Sequence, residues 1–268
     1  MDTLFIGQKI IRPEQTDSTN SHLLRLLAEQ DLLEGTVVIT EQQEAGRGQR
    51  GTQWQSELDK NLTLSILFKP HFLKADEQFL LSKAISLAIL NFITISISPI
   101  LRFPPSEKET ERGRNGGTEH ISIKWPNDIY IGNKKVAGIL IENSLSGNSI
   151  SHSVIGIGIN VNQEKFPSEL QNPTSLKLIA GKEFDLERCL AELCSFIEKK
   201  YLQLRNHSKD IDTEYQKNIY RFEEWADYNY KGEVLKAKII GVSKTGKLVL
   251  KKENQEVLEC DLKEINFE

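Results

Sequence analysis

The stretch Gln42-Gln43-Glu44-Ala45-Gly46-Arg47-Gly48-Gln49-Arg50-Gly51-Thr52-Gln53-Trp54 restricts what this chain can fold into more than any other part of it. Three glycines within six positions leave backbone N–H groups uncovered, and Arg47 and Arg50 add charge, so the stretch suits an anion such as phosphate. Gly46, Gly48 and Gly51 satisfy the spacing of a dinucleotide-binding turn, but that turn requires a strand directly before it and a helix directly after it. Here a β-type run follows instead. A P-loop is excluded too, because no lysine followed by serine or threonine closes the glycines. What remains is an anion site on a loop between strands, beside the simpler reading of a glycine-rich surface loop.

The neighbouring periodicities place that loop. Residues 20–33 carry Leu23, Leu24, Leu26 and Leu27 on one helical stripe, and Asp17-Ser18-Thr19 offers side chains to cap a helix starting near Thr19. Residues 36–40 read as a β-branched strand, and Leu62, Leu64, Ile66 and Phe68 alternate in a second one. Residues 77–97 return to helical spacing. Pro104-Pro105 and Gly116-Gly117 then bracket a mixed-charge run, which predicts a long loop over 102–120. Ile129-Tyr130-Ile131 and residues 136–141 form a hairpin across Gly132-Asn133, and residues 154–161 are a further strand. A helix over 185–204 starts on Asp185, and the helical pattern continues over 212–228. From Gly232 the period changes to three short β runs, 234–242, 247–251 and 257–262. This divides the chain into a main domain, 1–228, and a β-rich cap, 229–268, too small to hold a core alone.

Composition narrows the function classes. Lys and Arg number 34 against 38 Asp and Glu, a formal net charge of −4, which gives no footprint for wrapping nucleic acid. Neither a secretory signal nor a run approaching the roughly 18 apolar residues of a membrane span is expected, which predicts a cytoplasmic protein. Cys189, Cys194 and Cys260 have no CxxC spacing and read as core, and none of the five histidines is paired at ligand spacing.

Two further stretches carry chemistry. Lys124-Trp125-Pro126-Asn127-Asp128 puts a cation, an aromatic and two polar side chains at the end of a strand, although alone it could be core and turn. Lys135 then opens Val136-Ala137-Gly138-Ile139-Leu140-Ile141-Glu142, where Gly138 removes a side chain as expected for close approach of a ligand or another backbone. Taken with Asp17-Ser18-Thr19-Asn20, the Gly46–Gly51 loop with Trp54, and Gly156-Ile157-Gly158-Ile159-Asn160-Val161, these motifs follow the order found in biotin-protein ligases, and the chain resembles that family over its catalytic and carboxy-terminal domains.

The resemblance implies an α+β fold: a class II aminoacyl-tRNA-synthetase-like catalytic domain with a mixed sheet, and a small SH3-like β-barrel cap. It implies an enzyme that activates biotin with ATP and Mg²⁺ as biotinyl-5′-AMP and passes it to a lysine of a biotin carboxyl carrier protein or domain. Ser18, Thr19 and Asn20 would line the biotin ring pocket, Gln43 and Gly46 to Gly48 the tail and phosphate, and Lys135 would approach carboxylate and phosphate. Asn127 and Asn160 would serve the ATP side, and Arg50, Trp54, Lys124, Trp125, Gly138, Gly156 and Gly158 would complete the binding site. Adenylation brings two anions together, a task for Arg47 and Lys135, while Asp128 could take the proton of the attacking amine or simply close its turn.

Mg²⁺ ligands stay unnamed. Gln49 stands where many relatives carry a base, which predicts looser retention of the adenylate unless Arg50 substitutes, and Asp261-Leu262-Lys263-Glu264 replaces the family's usual cap ending. The alternatives are a lipoate-protein ligase and a biotin-sensing repressor. Too few residues precede Ser18 for a three-helix DNA-binding module, so no nucleic-acid or membrane partner is expected, and the protein should be a monomer or weak homodimer.

Overall fold

The computed structural model describes residues 1–98 and 120–267. The run predicted as a loop over 102–120 lies outside the described residues up to residue 119. Seven strands form the main sheet in the order β1 (Ile10–Ile11), β2 (Val37–Ile39), β3 (Leu62–Phe68), β7 (Ser149–Ile159), β6 (Lys134–Ser146), β5 (Asp128–Ile131) and β4 (Ile121–Lys124). Only β1 and β2 run parallel, which makes the sheet mixed.

Alternation gives each face its character. Leu62, Leu64, Ile66 and Phe68 of β3, with Ile155, Ile157 and Ile159 of β7, join the large core beneath α2 (Phe79–Ile97), α4 (Leu186–Asn206) and α5 (Ser208–Lys217). Thr63 and Ser65 of β3, Gly138, Leu140 and Glu142 of β6, and Gly156 and Gly158 of β7 fall on the opposite face. There Leu23 of α1 (Thr19–Glu29) packs with Val38, Leu67 and Val154 in a small second cluster. The polar and glycine positions thus share the thinly covered face, and that is where a ligand can reach the backbone.

Residues 75–97 are long and apolar enough to cross a membrane by length and composition, contrary to the sequence expectation. Their buried side chains, among them Leu81, Ile85, Ile89 and Phe92, make α2 the central core helix. Each such side chain contributes about 1.5–3 kcal/mol through burial. Lys83 is buried there as well, paired with Asp212 and 5.5 Å from the ring centroids of Phe79 and Tyr215.

The predicted helical continuation to Tyr228 is corrected. Helix α5 stops at Lys217, Arg221 and Glu223 take positive φ, and Trp225 opens a strand. Apolar residues at alternate positions, Ala226, Tyr228 and Tyr230, decide for β over the predicted helix. That strand, β8 (Trp225–Tyr230), straddles position 228 and enters a second, antiparallel sheet. Its order is β11 (Val257–Cys260), β10 (Leu248–Lys252), β9 (Glu233–Val242), β8, β12 (Ile265–Phe267). This is the SH3-like cap. Its inner residues Tyr228, Ile239, Leu250 and Ile265 belong to the same cluster as the main core, so the cap leans on the larger body as its size requires. Asp185 caps α4 by accepting from Arg188 N at 3.0 Å, as read from the sequence, and all three cysteines are buried and free. The short α3 (Leu176–Ala180), capped by the Ser175 hydroxyl, connects β7 to α4.

Candidate active site

The thin face of the sheet loses its side chains at its centre. Gly138 of β6 pairs with Gly158 of β7, and Gly156 lies between Ser65 and Leu140. A Cβ on Gly158 would stand 2.3 Å from Trp54 Cε2 and one on Gly138 3.3 Å from Trp54 Cζ3, so the indole rests on the backbone of both strands. A Cβ on Gly156 would stand 2.5 Å from Asn20 Oδ1, so that glycine makes room for the asparagine.

Around Asn20 the polar groups are buried and bonded. The Ser65 hydroxyl lies 2.7 Å from Thr19 Oγ1 and 2.5 Å from Asn20 Oδ1, and Asn20 Nδ2 donates to Glu142 Oε2 at 2.7 Å. The expected cap on α1 is replaced. Ser18 makes no side-chain cap, and Gln43 Oε1 instead accepts from Thr19 N at 2.8 Å. This long-range bond satisfies one orphan N–H of the helix and ties its start to the segment leading into the glycine loop. Asp17 accepts from its own neighbour, Ser18 N, and pairs with Arg25 at 2.8 Å, which holds its carboxyl well below the usual carboxylate range.

Two cations face this slot. Arg47 Nη2 lies 2.5 Å from Glu142 Oε2, and Lys135 Nζ lies 2.8 Å from Asp128 Oδ1 and 5.9 Å from the centroid of the Trp54 ring. Arg47 sits on a small hairpin closed by a bridge to Gln53, by Gly48 N on Thr52 O at 2.7 Å and by Trp54 N on Gly46 O at 3.0 Å. A Cβ on Gly46 would stand 2.3 Å from Trp54 O, a backbone atom, so that position demands glycine, and one on Gly48 would stand 2.4 Å from Thr52 Oγ1 and displace that hydroxyl. A third cation, Lys124, lies 4.9 and 5.0 Å from the rings of Tyr130 and Phe267. Burial lowers its amine below the ordinary lysine value, against Asp128, which raises it, while Arg221 and Lys135 lower it further.

These groups enclose a cavity of about 540 Å³. Its wall includes Ser18, Thr19, Asn20, Gln43, Arg47, Gly48, Trp54, Lys124, Trp125, Asn127, Asp128, Lys135, Gly138, Gly156 and Gly158, so widely separated motifs converge. Three predicted residues stand otherwise. Gly46 closes the loop by accepting from Trp54 N, and the side chain of Arg50 lies outside the described residues. Asn160 is buried behind the wall, where its amide donates to Thr174 O at 2.9 Å and its backbone bonds Val136 and Leu176, which makes it a brace between β7 and α3.

Two wall residues also have structural duties. Asn127 Nδ2 donates to Ile139 O at 2.6 Å, and Trp125 Nε1 donates to Gly246 O at 2.9 Å, fastening the sheet to the cap. Period two from Gly138 puts Glu142 on the same face of β6, where it bonds the wall residues Asn20 and Arg47. The cap's Leu262, Ile265, Asn266 and Phe267 also reach the wall, and no local pattern announces them because tertiary packing alone brings them there.

Comparison with known proteins accords with this geometry. The model of the biotin/lipoate A/B protein ligase family matches residues 13–160. The bifunctional ligase/repressor BirA of Bacillus subtilis is 30% identical over 210 residues, which cover 77% of this chain and 58% of BirA. The biotin--[acetyl-CoA-carboxylase] ligase of Mycobacterium tuberculosis is 30% identical over 203 residues, covering 75% of this chain and 67% of that enzyme. The biotin protein ligase of Aquifex aeolicus, solved in complex with biotin and ATP, superposes with a TM-score of 0.73 at 25% identity, over 97% of this chain and 99% of that one. The matched region therefore spans somewhat over half the length of BirA.

Proposed function

The chain belongs to the biotin/lipoate A/B protein ligase family, and on that premise we propose that it is a biotin-protein ligase. It forms biotinyl-5′-AMP from biotin and ATP and transfers the biotinyl group to a lysine of a biotin carboxyl carrier protein or domain in the cytoplasm. One observation carries this reading. A buried, hydrogen-bonded polar slot at Asn20 and Gly156 opens into the same cavity as the Arg47 and Lys135 cations, which suits a ligand polar at one end and anionic at the other.

In the first step a biotin carboxylate oxygen attacks the α-phosphorus of ATP, and the bond to the bridging oxygen breaks as pyrophosphate leaves. Lys135 and Arg47 offset the repulsion of the two anions and the charge that grows on phosphoryl oxygens. Both are paired with carboxylates, so phosphate must compete with Asp128 for Lys135 and with Glu142 for Arg47. In the second step the acceptor amine attacks the carbonyl carbon of the mixed anhydride, AMP leaves, and the amine loses a proton. Asp128, on the cavity wall, is the proposed acceptor of that proton. Among the described residues no group of three His, Cys, Asp or Glu could cage a metal. Mg²⁺ bound with ATP would need few protein carboxylates and would neutralise the leaving pyrophosphate.

The test is mass spectrometry of a biotin carboxyl carrier domain after incubation with the protein, ATP, Mg²⁺ and either biotin or lipoic acid. A gain of one biotinyl group on one lysine is expected. Modification by lipoic acid instead would assign the chain to the other branch of its family, and no modification with either acid would refute the proposal.

A further inference from the structure

Glu142 joins two residues of the cavity wall, Asn20 and Arg47. It shares the cavity face of β6 with Gly138, and one of its oxygens, Oε2, accepts from Asn20 Nδ2 at 2.7 Å and from Arg47 Nη2 at 2.5 Å. Helix α1 and the glycine loop, 27 positions apart between Asn20 and Arg47, are thereby held by the same atom.

The contact decides how Asn20 presents its amide. An asparagine amide can be turned so that either its oxygen or its nitrogen faces a given neighbour. Ser65, on one side, has a hydroxyl that can donate or accept, so it satisfies both orientations. Leu140 O, at 3.4 Å, is too distant to decide strongly. Glu142 as a carboxylate only accepts, so it draws Nδ2 toward itself and leaves Oδ1 to Ser65. The same charge holds Arg47, a loop residue whose side chain is 43% exposed and would otherwise be free to swing.

We propose that Glu142 is a positioning residue, fixing the orientation of the Asn20 amide and the place of the Arg47 loop through one shared oxygen. This rests on the ligase reading insofar as Asn20 meets biotin. Because two charge-assisted bonds converge on one atom, drawing Arg47 toward phosphate leaves the carboxylate to Asn20 alone, and an event at either residue is felt at the other.

The test uses Glu142→Gln, which keeps the shape and restores the ambiguity, because its amide can donate as well as accept. Biotin affinity is measured by calorimetry for the unsubstituted protein, Glu142→Gln, Asn20→Ala and the double variant, with hydrogen exchange over residues 45–54. Glu142→Gln is expected to weaken biotin binding about tenfold, the scale of a hydrogen bond to a charged group, and to change it by less than about twofold once Asn20 is alanine. Exchange in the loop is expected to quicken. A loss of the same size in both backgrounds, or no loss at all, would overturn the action through Asn20, and unchanged loop exchange would overturn the hold on Arg47. If the unsubstituted protein bound no biotin, the ligase reading would fall together with the Asn20 half, and loop exchange would still decide the Arg47 half.

Discussion

The glycine loop and the β5–β6 hairpin each bring one cation to the cavity, by different means. Lys135 stands on β6 opposite Tyr130 of β5 and beside the buried Val136 and Ala137, and its backbone bonds those of Asn172 and Thr174 on its other side. Arg47 stands on a turn that touches the sheet through Trp54, resting on Gly138 and Gly158, and through one ion pair. A strand cannot shift one cation without shifting its register, whereas the loop can leave by losing a ring contact and a partly exposed pair. The hairpin thus supplies charge that is already in place, and the loop supplies charge together with cover from water.

Removing the strand's cation should have the largest consequence. Lys135→Ala is expected to slow single-turnover formation of biotinyl-5′-AMP about 100- to 1000-fold, as for loss of one group aimed at developing charge, while loop exchange stays as it was. Adenylation at the normal rate would remove Lys135 from the chemistry and erase the contrast. Next comes the loop's seat. Gly158→Val drives a side chain into the Trp54 ring, and overpacking of about 1–3 kcal/mol should weaken biotin binding about tenfold and open the loop. Wild-type affinity in that variant would show that Trp54 is not seated as described.

A smaller change sharpens the comparison from the other side. Gln49 lies on the cavity wall, and Gln49→Arg adds a cation to the loop. Release of biotinyl-5′-AMP, followed by a trapping assay, should slow about two- to fivefold, the scale of a partly exposed charge pair. Equal or faster release would mean that the loop's charge does not retain the intermediate. The smallest effect concerns the base of the loop, where Ala45 N bonds Asp17 O at 2.8 Å. The Asp17 carboxyl is lowered in the folded protein, chiefly by its bond from Arg25, so its stabilisation is present above the ordinary value of 3.8 and is lost as pH falls below it. Since the pair is about half exposed, Asp17→Asn should cost less than about 1 kcal/mol at neutral pH. The difference in melting temperature should shrink as pH falls below that value; a difference at pH 2 as large as at neutral pH would assign the stabilisation to something other than charge.

Much of this was legible beforehand, for reasons particular residues make plain. Alternation in Leu62, Leu64, Ile66 and Phe68 identified β3, Asp185 announced the start of α4, and Gly138 marked close approach because a missing side chain in a strand has few other uses. What approaches it, the ring of Trp54, could not be read, since contacts between distant segments leave no period. The bond from the Asn160 amide to the Thr174 carbonyl is hidden from the sequence for the same reason. The helix read over 212–228 overran the end of α5 because the alternation of Ala226, Tyr228 and Tyr230 is short and no local signal marks the positive φ of Arg221 and Glu223. The cap's contribution through Phe267 lies beyond any local signal.

The contrast between a preset strand and a movable loop is tested most directly by hydrogen exchange with and without biotin and ATP. The account predicts that residues 136–141 are protected in both conditions, whereas residues 45–54 exchange quickly alone and become protected when both substrates are present. Strong and equal protection of residues 45–54 in the two conditions would contradict it, because the loop would then be as fixed as the strand.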